Sequence, residues 1–247
     1  MDLDVILIGM KNKNQWFERT ILLYGAETVA KFAESHVLIV GLGGVGGAAA
    51  EFLGRAGIGK FTIADSDTID ATNRNRQLPA LLSTQGRLKT DVVAERLRDI
   101  NPNVEIVTIP EFVRDKKTDE ILSVGYDFVI DAIDTLTFKV NLIAKTLNCG
   151  IPLISSMGSG GKTDISQVKV AEIEDTFQCP LARMVRKKLH KMGIYKGFKV
   201  VFSPEECPGH AVTECTEKKR SIVGTVSYMP AVFGAYCAAE ALKTIGK

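Results

Sequence analysis

The sequence is poor in the residues that mark several whole classes of protein. Its 247 residues include 5 cysteines, 3 histidines and 1 tryptophan. The cysteines (Cys149, Cys179, Cys207, Cys215 and Cys237) are odd in number and never spaced Cys-x-x-Cys. That excludes a structural zinc built from two such pairs and argues against a disulfide framework. A reducing, cytoplasmic setting is the simpler expectation. Charge of one sign is also lacking: 31 Lys and Arg against 29 Asp and Glu leave a net charge of +2. A histone-like polycation is excluded, though a local basic face is not. No apolar run is long enough to cross a membrane as a helix. The opening residues, Met1 to Met10, have neither the basic start nor the long apolar core of a secretory signal. No repeat and no low-complexity tract is present.

What remains is an ordinary globular composition, 45% hydrophobic and 24% charged. The pattern alternates. Residues 10–36 read as helical with a break at Gly25, and His36–Val40 is a short apolar run typical of a buried parallel strand. A glycine-rich turn follows, then a helix over Ala48–Ala56, a strand over Lys60–Asp65 and a helix over Gly86–Ile100. Further strands are predicted over Val104–Ile109, Asp127–Ile133 and Ile151–Ser155, with a helix over Leu136–Asn148. Strands alternating with helices predict an α/β fold: a Rossmann-like, doubly wound, mostly parallel sheet with helices on both faces. After Gly161 the pattern loosens, and an irregular C-terminal extension is expected before an Ala-rich helix over Tyr228–Ile245.

Gly41, Gly43 and Gly46 form Gly-x-Gly-x-x-Gly directly after a strand and before a helix, with Gly44 between them. The first glycine makes the tight turn, the second lets backbone approach a phosphate, and the third lets helix pack on strand. Asp65 ends the next strand, where a carboxylate can hold a ribose hydroxyl. This predicts a nucleotide, and NAD and ATP fit equally at this point. Asp67 and Asp70 follow as candidates for a loop or a cap. A second cluster, Gly158 to Thr163, resembles a phosphate loop. However, Ser156 stands where that motif needs glycine, and no clear helix follows, so it reads as a tight turn.

The segment Ala71 to Gln77 separates the two nucleotides. It packs Asn73, Arg74, Asn75, Arg76 and Gln77 between two elements. Arginine forks match phosphate oxygens, which an enzyme that cleaves a triphosphate needs and a dehydrogenase does not. Lys89 opens the following helix, and Asp131 and Asp134 end the fourth strand. A carboxylate there can hold magnesium together with phosphate oxygens, or simply cap the next helix.

This set, Gly41 to Gly46, Asp65-x-Asp67, Asn73 with Arg76 and Gln77, then Lys89, then Asp134, resembles the ubiquitin-activating-type adenylyltransferase superfamily. That superfamily includes the enzymes that activate sulfur-carrier proteins. The resemblance implies that the glycine turn and Asp65 hold ATP. It also implies that Asn73, Arg76 and Lys89 hold the phosphates and that Asp134 binds Mg2+. It implies further that Arg19, on the N-terminal helix, is supplied across a homodimer. The chain is read as a single unit over 1–247, with a nucleotide-binding core at about 34–160 and a C-terminal region at about 161–247.

Three departures narrow the branch: the missing zinc pairs, the form of the segment Thr72 to Leu78, and the stretch Pro152 to Gly161 followed by Cys179-Pro180 and a basic helix. They resemble the branch that dehydrates threonylcarbamoyladenosine in tRNA. The implied chemistry adenylates a carboxylate and closes a ring with loss of water, releasing AMP and pyrophosphate. A tRNA surface is then expected, and Arg183, Arg186, Lys187, Lys188 and Lys191, with Lys196 and Lys199, are its candidates. Cys207 and Cys215 lie where carrier-activating relatives place a reactive cysteine. Lys218, Lys219 and Arg220 would lower the pKa of Cys215, and a sulfur-relay partner is conceivable on that ground. The plainer reading is that both are incidental, while Cys149 and Cys237 look like core. The alternatives are an adenylyltransferase acting on the C-terminal glycine of a sulfur carrier, a non-catalytic nucleotide-binding scaffold and a NAD oxidoreductase.

Overall fold

A computed structural model describes residues 15–215 and 220–247. Residues 1–14 lie outside the described residues. So do Lys218 and Lys219.

Two short helices, α1 (Glu18–Tyr24) and α2 (Ala26–Glu34), meet at Gly25. They lead into β1 (His36–Val40), α3 (Gly44–Ala56) and β2 (Lys60–Ala64). Next come α4 (Lys89–Ile100), β3 (Glu105–Ile109), α5 (Asp115–Leu122) and β4 (Phe128–Asp131). The chain continues through α6 (Leu136–Asn148), β5 (Leu153–Ser156), β6 (Lys169–Glu172), α7 (Pro180–His190) and β7 (Lys199–Phe202). A hairpin of β8 (Val212–Cys215) and β9 (Arg220–Val223) precedes α8 (Tyr228–Ile245).

Seven strands form one sheet in the order β3-β2-β1-β4-β5-β7-β6, parallel except where β6 runs against β7. Both faces of the central strands are covered, so β1 is apolar from Val37 to Val40 rather than alternating. Val37 and Ile39 join a core with α2, α3, α4 and α8. Leu38 and Val40 join a second core with α5, α6 and α7. The expected doubly wound sheet is therefore present, with helices on both faces.

The structure differs from the sequence reading in four places. Helix α3 starts at Gly44 rather than Ala48, so the glycines are its first turn. Helix α5 was not foreseen; it is short and charged, and it begins at Asp115, whose φ is +48°. The region after Gly161 adds β7 and β6 to the sheet's edge, with α7 between them in the chain, and irregular backbone is confined to the connections, such as Ser203–Pro208. Cys149 is exposed, not core, because it caps the C-terminal end of α6 at the surface, whereas Cys237 is fully buried in α8.

The strand order turns between β1 and β4: β2 and β3 lie to one side, β5 and β7 to the other. Ligands of open α/β sheets bind at this point, outside the carboxyl ends of the strands. The glycine turn leaves β1 there, and the turn Ala132–Asp134 leaves β4 beside it.

Candidate active site

The glycine turn is fixed by contact. Gly41 has φ +92°, and a Cβ on it would lie 2.7 Å from the Ala132 carbonyl oxygen. A Cβ on Gly46 would fall 1.7 Å from the Gly41 oxygen, and one on Gly44 would fall 2.7 Å from Pro230 Cβ. Gly43 differs. A Cβ there would meet only the Gln77 side-chain nitrogen, at an ordinary 3.6 Å. Packing thus explains the other three glycines, while Gly43 leaves an open cradle at the start of α3. No side chain caps that helix, so its first N–H groups face the cradle unclaimed by any cap. Such a terminus favours an anion.

Asp65 stands across the turn. Its two carboxylate oxygens accept from the Leu42 N–H at 2.6 Å and the Asp67 N–H at 2.8 Å. Burial pushes its pKa up, against the opposing pull of Lys89 and these two N–H groups. Lys89 is 5% exposed. Its ammonium pairs with Asp67 at 2.7 Å and lies 3.7 Å from Asp65.

The polar segment folds into a 3-10 turn over Ala71–Asn73. Asp70 caps it, accepting from the Thr72 N–H, while Asn73 Oδ1 accepts from the Asp70 N–H in return. Arg76 donates from Nη1 to the Thr72 carbonyl and to Asn75 Oδ1, each at 2.9 Å. Its Nε and Nη2 donors have no partner among the described residues. The Gln77 amide oxygen is buried without a hydrogen bond. Buried polar atoms are rarely left so. Open cradle, free fork and orphaned amide together suit a polyanion, and they fit a triphosphate.

The two acids of β4 separate. Asp131 is fully buried and paired with Lys139 at 2.8 Å, and it accepts from the Ile133 N–H at 3.0 Å. It is therefore part of the scaffold and not available to a metal. Asp134 is exposed at the end of the turn, touched by the Thr135 hydroxyl at 3.1 Å. Among the described residues, no group of three or more His, Cys, Asp or Glu could hold a metal ion by itself. A single carboxylate completed by phosphate oxygens and water is a usual set for Mg2+.

A cavity of about 670 Å3 opens beside Asp65, lined by Ser66, Pro110, Phe112 and Arg114 among others. Its size suits a small molecule. Sequence reasoning passed over these residues, although Pro110 directly follows β3 at the same carboxyl edge. Other candidates lie apart. Arg19 is exposed on α1, without an ion pair among the described residues. On α7, Ala182, Val185 and Leu189 face the core while Arg183, Lys187 and Lys188 face out, followed by exposed Lys191. Arg186 is turned inward, donating to the Ile173 carbonyl and the Thr176 hydroxyl, and Lys199 pairs with Glu240. Those two leave the basic face. Cys207 is exposed, its thiol 3.7 Å from the Pro208 oxygen; the Cys215 side chain is outside the described set.

A model of the ThiF family matches residues 17–247. The chain belongs to the ThiF family. Within it, the tRNA threonylcarbamoyladenosine dehydratase of Bacillus subtilis (strain 168) is 44% identical over 189 residues, covering 76% of this chain and 74% of that one. The structure of the E. coli tRNA N6-threonylcarbamoyladenosine dehydratase TcdA in complex with ATP matches with a TM-score of 0.87 at 37% identity, covering 94% and 93%. The adenylyltransferase and sulfurtransferase UBA4 of Saccharomyces cerevisiae (strain YJM789) is more distant, 26% identical over 221 residues and covered over 44% of its length. No described helix is long and apolar enough to cross a membrane.

Proposed function

We propose that this ThiF-family chain is an ATP-dependent tRNA threonylcarbamoyladenosine dehydratase. The observation that carries this reading is the triphosphate-shaped set at the turn of the sheet, in a chain 44% identical to a dehydratase of that name. The sulfur-carrier alternative rests on a relative of much lower identity.

In this reading the substrate carboxylate attacks the α-phosphorus of ATP and pyrophosphate leaves. The carbamoyl nitrogen then attacks the activated carbonyl, AMP leaves, and a five-membered ring closes with net loss of water. Nucleophile and electrophile share one side group, so proximity favours the second step. Asp65 holds the ribose, and the cavity beside it has room for the base. Gly43 and the first turn of α3 admit the phosphates. Arg76 brings two unclaimed donors, Asn73 and Gln77 line the same wall, and Lys89 reaches phosphate from its place between Asp65 and Asp67. Asp134 would hold Mg2+, which would neutralise phosphate charge there.

The chain works as one unit and as a homodimer. Helix α1 buries none of its residues, and Leu22 and Leu23 are 81% and 77% exposed. A second copy covering that face would carry Arg19 towards its partner's site. Arg183, Lys187, Lys188 and Lys191 form the tRNA face. Cys207, exposed in its loop, is the candidate contact for a sulfur-relay protein.

The test uses the protein with ATP, magnesium and two tRNA pools, one carrying threonylcarbamoyladenosine and one lacking it. AMP release only with the modified pool, with loss of one water from the nucleoside, is expected. AMP release that ignores the modification would overturn the reading.

A further inference from the structure

Lys162 is 5% exposed, yet its ammonium makes no hydrogen bond and no ion pair among the described residues. The other two deeply buried lysines behave differently: Lys139 has three oxygen partners and Lys89 is paired with Asp67. Burying an unpaired charge is costly. One acid, Glu205, feels the charge of Lys162 but stands outside ion-pair distance. Its carboxylate is taken up by the Thr163 N–H and hydroxyl and by the Asp164 N–H, all at 3.0 Å.

The place of Lys162 in the fold gives the unpaired charge a meaning. It lies in the turn that leaves β5, at the same carboxyl edge as the glycine turn and the Asp134 turn. The neighbouring Gly161 N–H donates to the Gly224 oxygen at 2.7 Å. The next residue, Thr225, accepts at its carbonyl from Asn75 of the phosphate segment at 3.3 Å. The Thr225 hydroxyl is itself buried without a partner. The ammonium of Lys162 and the hydroxyl of Thr225, each buried and unclaimed, thus belong to two segments joined by the Gly161–Gly224 bond, the second of them tied to the phosphate segment through Asn75. Backbone access is open as well, since nothing stands within 4 Å of a Cβ placed on Gly158.

We infer that Lys162, on the segment joined to that of Thr225, receives the substrate carboxylate that is to be adenylated. The inference rests on the function proposed above and adds to it a residue for the acceptor. A carboxylate must approach a triphosphate of the same sign, and a desolvated cation offsets that repulsion more strongly than one in water. It also fixes which oxygen faces the α-phosphorus. This gives a job to the Gly158–Thr163 turn, which is no phosphate loop.

The experiment compares Lys162→Met and Lys162→Arg with the wild type. Turnover is measured on modified tRNA, and binding is measured by calorimetry for ATP and for unmodified tRNA. Loss of one charged hydrogen bond predicts a fall of about 10- to 100-fold in kcat/KM for modified tRNA in the Met variant. ATP and unmodified tRNA should bind as before, and Arg should restore part of the loss. A Met variant with wild-type kcat/KM overturns the assignment, and so does one that loses ATP affinity in parallel. A wild-type protein that turns over no modified tRNA overturns instead the function on which the assignment rests.

Discussion

Replacing Lys139 with methionine tests how the nucleotide edge of the sheet is held. Lys139 and Asp131 are both fully buried, 2.8 Å apart. The ammonium also donates to the Ser155 hydroxyl at 3.1 Å and to the Ser156 carbonyl at 2.9 Å. All three of its hydrogens are therefore used. Asp131 in turn accepts from the Ser155 hydroxyl at 2.6 Å and from the Ile133 N–H. Methionine keeps most of the volume and removes every donor. Asp131 would be left as a buried charge with two neutral donors, and breaking such a pair from one side costs about 3–5 kcal/mol. Against a total stability of about 5–15 kcal/mol that is a large fraction. Removing both charges together, Asp131→Leu with Lys139→Met, leaves no uncompensated ion and should recover most of the loss. Urea unfolding followed by circular dichroism gives the three free energies of the cycle. A single variant that loses less than about 1 kcal/mol, the size of one ordinary neutral hydrogen bond, would refute the reasoning. So would a double variant no more stable than the single one.

Three further outcomes are expected. Arg76→Ala removes the free donors at the phosphates and should raise the barrier by about 3 kcal/mol, comparable to losing one preorganised donor; an unchanged kcat on modified tRNA would reject that role. Burial tends to raise the Glu51 carboxyl, but its bonds to Arg96 and Arg55 outweigh this and hold it below the usual value of 4.5. The folded pKa is thus below the unfolded one, so this stability is present above about pH 4.5 and is lost as pH falls through the folded value. Glu51→Gln should flatten the acid limb of a stability–pH curve, and an identical limb would contradict the sign. Finally, alkylation of the native protein followed by peptide mass spectrometry should label exposed Cys149 and Cys207 early. Cys237, whose thiol burial pushes to about 12, should be spared; equal labelling rates would rule this out.

The sequence makes legible those parts of the fold that repeat a simple pattern. Strands β1 and β4 are apolar from Val37 to Val40 and from Phe128 to Ile130 because both their faces are covered, and α6 and α8 begin and end where their apolar spacing does. The set proposed to handle phosphates stands out in the sequence because its residue types have no use in a bare sheet. Edge elements were not. Strand β6 reads Lys169-Val-Ala-Glu172 and is only partly buried, so its composition resembles a loop. Helix α5 is too short and polar to show a stripe. Pairings across long separations were equally hidden. Nothing local says that Asp131 meets Lys139 and Ser155 rather than a metal, or that Arg186 turns back to Ile173. Lys162 read as part of a tight turn until its burial was visible.

The packing of α8 has a consequence for the timing of assembly. A Cβ on Gly234 would lie 2.5 Å from the Val45 carbonyl and 2.8 Å from Ala48 Cβ, and Pro230 sits against Gly44. The helix that opens at the nucleotide turn is thus flush against a helix translated some 190 positions later. On the ribosome, the residues of the proposed nucleotide site from Gly41 to Asp134 emerge well before the surface that buttresses them. Such a distant closure is entropically late in folding. The proposed nucleotide site is therefore walled only once synthesis has passed residue 234. A nascent or prematurely terminated chain that ends before residue 234 can retain Gly41 through Asp134 and still lack the helix packed against Gly44, Val45 and Ala48.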